Sequence, residues 1–111
     1  MALRIDSQTT SDPRALHLAL TGDLDADGAR VVRRALEAHI ASGRLDVTLD
    51  LDRVGFLDSS GLASLIVALR RVRERGGDIR VETASPRIRR VLEVTALARV
   101  FKLEPPARAA A

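Results

Sequence analysis

GFLDSSGLASL, residues 55–65, is the stretch on which the reading of this chain turns. An apolar, strand-like run leads into it, and an apolar, helix-like run leads out. At the junction stand an acid, two hydroxyls and a glycine: Asp58, Ser59, Ser60 and Gly61. A strand running straight into a helix belongs to a sheet whose strands alternate with helices and pair in parallel. One carboxylate or hydroxyl is enough to cap a helix by accepting a backbone N–H. Two serines beside an aspartate therefore raise a second use, a hydroxyl presented for another protein to act on.

Downstream, Leu62, Leu65, Ile66, Leu69 and Val72 recur at helical spacing, and Gly76-Gly77 ends the run. DIRVET (78–83) alternates Ile79 and Val81 with Arg80 and Glu82, the pattern of a strand with one buried face. SPRIRRVLEVTAL (85–97) opens as a helix should, with Ser85 as cap and Pro86 at the first helical position, and Ile88, Val91 and Leu92 make its inner stripe. RVFKL (99–103) reads as a last short strand, and EPPARAAA (104–111) as a flexible tail.

Upstream, LDVTLDL (45–51) puts Val47, Leu49 and Leu51 on one face and Thr48 and Asp50 on the other. Before it, Ala29, Val32, Leu36 and Ile40 mark an amphipathic helix, with Asp25 or Asp27 to cap it and Gly43 to end it. ALHLAL (15–20) is a further strand, TTSDPR (9–14) a turn, and ALRID (2–6) a short first strand hairpinned to it. The expected order is β-β-α-β-α-β-α-β in a mixed α/β domain over residues 1–103. Because the strands alternate instead of running continuously apolar, the helices should cover mainly one face of the sheet.

Composition narrows the function. The 111 residues suit one domain; 46% are hydrophobic, and two phenylalanines are the only aromatics, so the core is aliphatic. No cysteine is present, which excludes disulfides and thiolate metal sites. No apolar run approaches the roughly 18 residues of a membrane span, and the cytoplasm is the simplest location. The net charge is +3 and the pI near 10.8, with Arg supplying seventeen of eighteen basic residues. Those arginines are scattered and lack interleaved aromatics, so nucleic acid is not the expected partner. Arg70, Arg71, Arg73 and Arg75 fall in a helix's last turns, where cations suit the dipole. His17 and His39 have no partner at metal-ligand spacing, and GDLDADG lacks the glycines and lysine of a phosphate loop. Neither an enzyme nor a metal or cofactor site is expected.

For LDSSGL, helix capping is the plainer reading. The alternative has physical support: a phosphate at a helix start meets free N–H groups and the positive end of the dipole, so the fold tolerates it while the surface gains charge.

VTLDLDRVGFLDSSGLASLIVALRRVRERGGDIRVETASPRIRRVLEVTAL, together with the earlier LTGDLDADGARVVRRALEAHI, resembles the STAS domain of bacterial anti-sigma factor antagonists. The resemblance covers about residues 3–103. It rests on an ordered set: Gly-Asp-Leu-Asp, strand, Asp-Ser-Ser-Gly-Leu, glycine-ended helix, strand, Ser-Pro helix. It implies a non-enzymatic regulator that binds an anti-sigma factor, often a serine kinase with a nucleotide-binding fold, and so releases a sigma factor. In such proteins the kinase phosphorylates the serine after the motif's aspartate, and a serine phosphatase restores the unmodified form. Carried onto this chain, the phosphoacceptor is Ser59. Gly22, Asp23, Leu24, Asp25, Asp58, Ser60, Gly61 and Leu62 would shape the partner-facing surface. The same fold and motif occur in STAS subunits of phospholipid ABC transport systems. That is the alternative: a scaffold bound to an ATPase through unmodified Ser59 or Ser60.

Overall fold

The computed structural model describes residues 1–105. The elements run β1 (Arg4–Thr9), β2 (Ala15–Leu24), α1 (Ala26–Ala41), β3 (Asp46–Leu57), α2 (Ser59–Glu74), β4 (Asp78–Ala84), α3 (Pro86–Val94) and α4 (Leu97–Val100). The sheet has the order β1-β2-β3-β4, with β1 antiparallel to β2 and the other pairs parallel. This is the expected mixed α/β architecture, an N-terminal hairpin followed by two strand–helix–strand crossovers.

Strand alternation decides which side of the sheet the helices cover. Leu16, Leu18 and Leu20 on β2, Val47, Leu49 and Leu51 on β3, and Ile79 and Val81 on β4 are all buried. Their neighbours Arg80 and Glu82 are exposed, and Thr48 and Asp50 are half-buried. Against the buried face pack Val32, Leu36 and Ile40 of α1, Leu65, Leu69 and Val72 of α2, and Ile88 and Leu92 of α3, all in one cluster. The open face carries polar contacts instead: Thr83 donates to Asp50 at 2.7 Å, and His17 Nε2 meets Glu82 at 3.2 Å.

The last expected strand is corrected. Ala96 takes a left-handed conformation (φ 62°), and Leu97–Val100 forms one helical turn. Phe101 then fills the core at 0% exposure, and its carbonyl accepts the Val81 N–H at 2.8 Å. The segment thus meets the β4 edge at one point, not along a ladder. What pins it is charge. The Asp78 carboxylate at the start of β4 takes Lys102 at 2.6 Å and Arg73 at 3.0 Å, and Arg73 also donates to the Val100 carbonyl at 3.0 Å. Ser85 is a second correction: it stands at the α3 cap position, but its hydroxyl donates to the Val54 carbonyl at 3.1 Å and makes no cap hydrogen bond. Of the expected tail, Glu104 is held through its carbonyl by Arg89 at 2.7 Å, and residues 106–111 lie outside the described residues.

Two outcomes follow. Leu49, 1% exposed and flanked in register by Leu18 and Val81, lies at the centre of the sheet's buried face. Leu49→Ala should cost about 2–5 kcal/mol by denaturant unfolding. At Asp78, burial alone would push the carboxyl up, but hydrogen bonds from Lys102, Arg73 and the Ile79 N–H outweigh it and hold the group below its ordinary 3.8. A depressed carboxyl stabilises the fold above its unfolded pKa and stops doing so as pH falls through the folded value. Asp78→Asn should therefore lower Tm at neutral pH, and the gap from wild type should narrow as pH falls below 3.8 and through the depressed folded value.

Candidate functional site

Two strand ends and two helix starts meet at the C-terminal end of the two central strands. In the parallel β2/β3 pair, Leu24 stands opposite Leu57. The residue after each is an aspartate that caps a helix. Asp25 accepts the Gly28 N–H at 2.9 Å at the head of α1, and Asp58 accepts the Gly61 N–H at 3.0 Å at the head of α2. Asp25-Ala26-Asp27-Gly28 and Asp58-Ser59-Ser60-Gly61 are thus one local design used twice. Both glycines are buried for the same reason. A β-carbon on Gly61 would stand 2.0 Å from the Leu24 carbonyl oxygen, and one on Gly28 would stand 2.3 Å from that of Asp23. Each helix starts hard against the β2 backbone. The Asp58 N–H completes the join by donating to the Leu24 carbonyl at 3.3 Å.

This geometry separates the residues the sequence groups together. Ser59 and Ser60 are exposed, and among the described residues neither hydroxyl has a hydrogen-bond partner, because Asp58 carries out the capping. Ser60 lines the groove between α1 and α2, whereas Ser59 stands outside it. Asp23, Asp25, Asp58 and Leu62 are half-buried. The Asp23 carboxylate pairs with the Met1 ammonium at 2.6 Å, which raises that amine's pKa. Leu24 is 0% exposed, and Gly22 and Gly61 are buried as well. These three shape the surface from beneath, since their side chains offer it no contact. Gly22 is fixed by its backbone (φ +117°) and by the Ala2 carbonyl oxygen, 2.5 Å from where a β-carbon would stand.

Phe56, 46% exposed two residues before Asp58, escapes the reading of the sequence. Alternation from the buried Val54 would turn it inward. An extra residue in β3 between Val54 and Phe56 shifts the register, so that Phe56 pairs with Asp23 and Leu57 takes the core-facing place opposite Leu24. Gly55 is the available signal, because a glycine inside a strand pattern marks a bulge. Elsewhere, burial pushes the His39 pKa down and Arg44 adds to it, while His17 Nδ1 is buried without a partner. Among the described residues no group of His, Asp or Glu is placed to hold a metal ion, and no helix is long and apolar enough to cross a membrane.

Residues 7–104 match the family model described as Mlab, STAS domain. The chain belongs to the STAS domain family. The anti-sigma-B factor antagonist of Listeria monocytogenes is 27% identical over 93 residues, spanning 84% of this chain and 82% of that protein. A crystal structure of an anti-sigma factor antagonist from Mycobacterium paratuberculosis has a TM-score of 0.80 at 23% identity, covering 94% of this chain and 86% of that one. The unphosphorylated anti-sigma factor antagonist SpoIIAA has a TM-score of 0.77 at 19% identity, covering 93% and 90%. The phosphorylated form of SpoIIAA, described as a Bacillus cell fate determinant, gives 0.71 at 19%, covering 93% of each chain. At these identities the solved structures establish a shared fold, and the STAS architecture expected from the sequence is the one observed.

The close contact at Gly61 makes a sharp test. Gly61→Ala should destabilise the domain by about 1–3 kcal/mol or more, the cost of overpacking against atoms that cannot rotate away. Ser60→Ala, which removes an uncommitted hydroxyl, should leave the unfolding midpoint nearly unchanged in the same denaturant titration.

Proposed function

We propose that this STAS domain is an anti-sigma factor antagonist: it binds an anti-sigma factor with serine-kinase activity, releases a sigma factor, and is switched off by phosphorylation of Ser59. One observation carries the reading. Ser59 is the first residue of α2, exposed and uncommitted, because its neighbour Asp58 already caps the helix. The fold therefore does not depend on this hydroxyl, and a phosphate there lies near the positive end of a sixteen-residue helix. What changes is the surface, which gains about −1.5 to −2 charges beside Asp58. Across an interface that charge must be desolvated without a partner, which is costly. The names of the relatives, anti-sigma factor antagonists in several bacteria, agree with this reading. A serine phosphatase would then return the domain to its binding form.

The sequence resemblance leaves a second reading, the STAS subunit of a phospholipid ABC transport system, in which the same turn contacts an ATPase unmodified. Incubation with ATP and either the kinase-type anti-sigma factor or the ABC-type ATPase, followed by intact-mass and peptide mass spectrometry, separates the two. The switch predicts one added phosphate, on Ser59, with the anti-sigma factor alone. In calorimetric titrations Ser59→Ala should bind like wild type, and Ser59→Asp should bind at least about tenfold more weakly, roughly 1.4 kcal/mol, with circular dichroism of all three unchanged. Equal affinities for the three chains, or phosphate on Ser60 only, would overturn the switch at Ser59.

A further inference from the structure

The chain's two phenylalanines have opposite fates. Phe101 is at 0% exposure, whereas Phe56 is 46% exposed. Phe56 belongs neither to the buried core cluster nor to the half-buried residues packed against it. Its neighbour Gly55 is exposed, and packing does not require a glycine there. A β-carbon on Gly55 would meet only an Asp23 carboxylate oxygen, at the ordinary contact distance of 3.9 Å, whereas one on Gly22, Gly28 or Gly61 would strike backbone. Nor is Gly55 among the glycines with a left-handed backbone, so the bulge it sits in does not demand it. A strand glycine with neither need leaves a bare flank where another backbone can come close.

We propose that Phe56 is the anchor of the partner interface: its ring enters an apolar pocket of the anti-sigma factor, whose chain passes over the flank left bare by Gly55. The inference rests on the proposed antagonist function, and continuity with Ser59 selects the occupant. An interface of standard size, about 800 Å² per partner, has a radius of about 16 Å. Phe56 precedes Ser59 by three residues, which is at most about 11 Å of chain. A protein that covers Ser59 with such an interface therefore reaches Phe56. The surroundings carry both signs of charge. Asp23 stands opposite Phe56 in register, Asp58 follows two residues on, and Arg87 reaches the Gly55 carbonyl at 3.5 Å. An aromatic centre with a rim of mixed charge is the anatomy of a protein interface; a nucleic-acid surface would be uniformly basic. Affinity and regulation are thereby divided, with Phe56 holding the partner and Ser59 controlling it.

Surface plasmon resonance with immobilised anti-sigma factor, and the rate at which that kinase phosphorylates the domain, test this with wild type, Phe56→Ala, Gly55→Val and Ser59→Asp. Val94→Ala is the control, because Val94 is 77% exposed and ends α3. Phe56→Ala should weaken binding at least about tenfold, chiefly through faster dissociation. It should raise KM for phosphorylation by a similar factor with kcat unchanged, the mark of lost binding and not of lost chemistry. Gly55→Val should weaken binding as well, while its unfolding midpoint holds or rises, because a strand favours valine over glycine. Val94→Ala should match wild type. If Ser59→Asp abolishes binding while Phe56→Ala and Gly55→Val behave as wild type, the anchor is overturned and the antagonist reading stands. If wild type binds only the ABC-type ATPase and Phe56→Ala weakens that complex, the antagonist reading falls and the anchor stands. A fall in the Phe56→Ala unfolding midpoint as large as that of Leu49→Ala makes the ring structural and overturns the proposal. So does equal weakening by Val94→Ala, a Phe56-dependent dimer in light scattering with anti-sigma binding unaffected, or binding to neither protein.

Discussion

The approach of the α2 N-terminus to the β2 backbone is the constraint on which the rest depends. Gly61 lies so close to the Leu24 carbonyl that no side chain fits between them. That contact brings the first turn of α2 down onto the sheet, and with it the stripe of Leu65, Leu69 and Val72 onto the strands. The same join, repeated at Gly28 and Asp23, seats α1 beside it. Because β2 and β3 run in parallel with Leu24 opposite Leu57, the two joins lie side by side. The geometry of the sheet therefore brings two helix N-termini to the same end of its central strands.

That convergence has an electrostatic cost, and the sequence answers it. Two helix starts place their unsatisfied N–H groups and positive dipole ends together. Asp25 and Asp58 each satisfy one of those groups directly, and Asp23 and Asp27 add negative charge nearby. A carboxylate accepts an N–H at least as well as a serine hydroxyl does, so Ser59 and Ser60 are surplus to capping. The opening question about two serines beside an aspartate thus has a structural answer: the aspartate caps, and the serines are left for other work.

Much of this was legible in the sequence, and the failures have physical causes. The stripes Ala29-Val32-Leu36-Ile40 and Leu62-Leu65-Ile66-Leu69-Val72 are long enough for helical period to be unambiguous; the first is buried throughout, and in the second Leu65, Leu69 and Val72 are buried while Leu62 and Ile66 are half-buried. The alternation of Val47, Leu49, Ile79 and Val81 likewise gave the covered face. RVFKL failed because five alternating residues fit a strand and an irregular turn equally well. Phe101 points inward in both, and the Asp78–Lys102 and Arg73–Val100 contacts that decide between them join residues distant in sequence. The end of β3 was not legible as a simple alternation, because two register shifts move the buried position first to Val54 and then to Leu57 and leave Phe56 outside. Leu24 belonged to the motif but to its foundation, since a motif shows which residues occur together and not which of them reach solvent.

Under the proposed switch, the assignment of capping to Asp58 explains how the neighbouring Ser59 would take a large charge change without loss of the fold. Were Ser59 the cap of α2, modifying it would disturb the contact that seats the helix, and folding and binding would change together. With Asp58 as cap, the hydrogen bond to Gly61 and the packing beneath it do not involve the Ser59 oxygen. A phosphate at Ser59 meets opposing influences of similar kind within the domain: attraction from the helix dipole and repulsion from Asp58. Within the domain these largely offset. Against a partner surface there is no such offset, because burial removes the water that screens the charge while the neighbouring aspartates remain. On the proposed reading, the free energy of modification would therefore be felt in association and not in folding, which is the property a reversible binding switch requires.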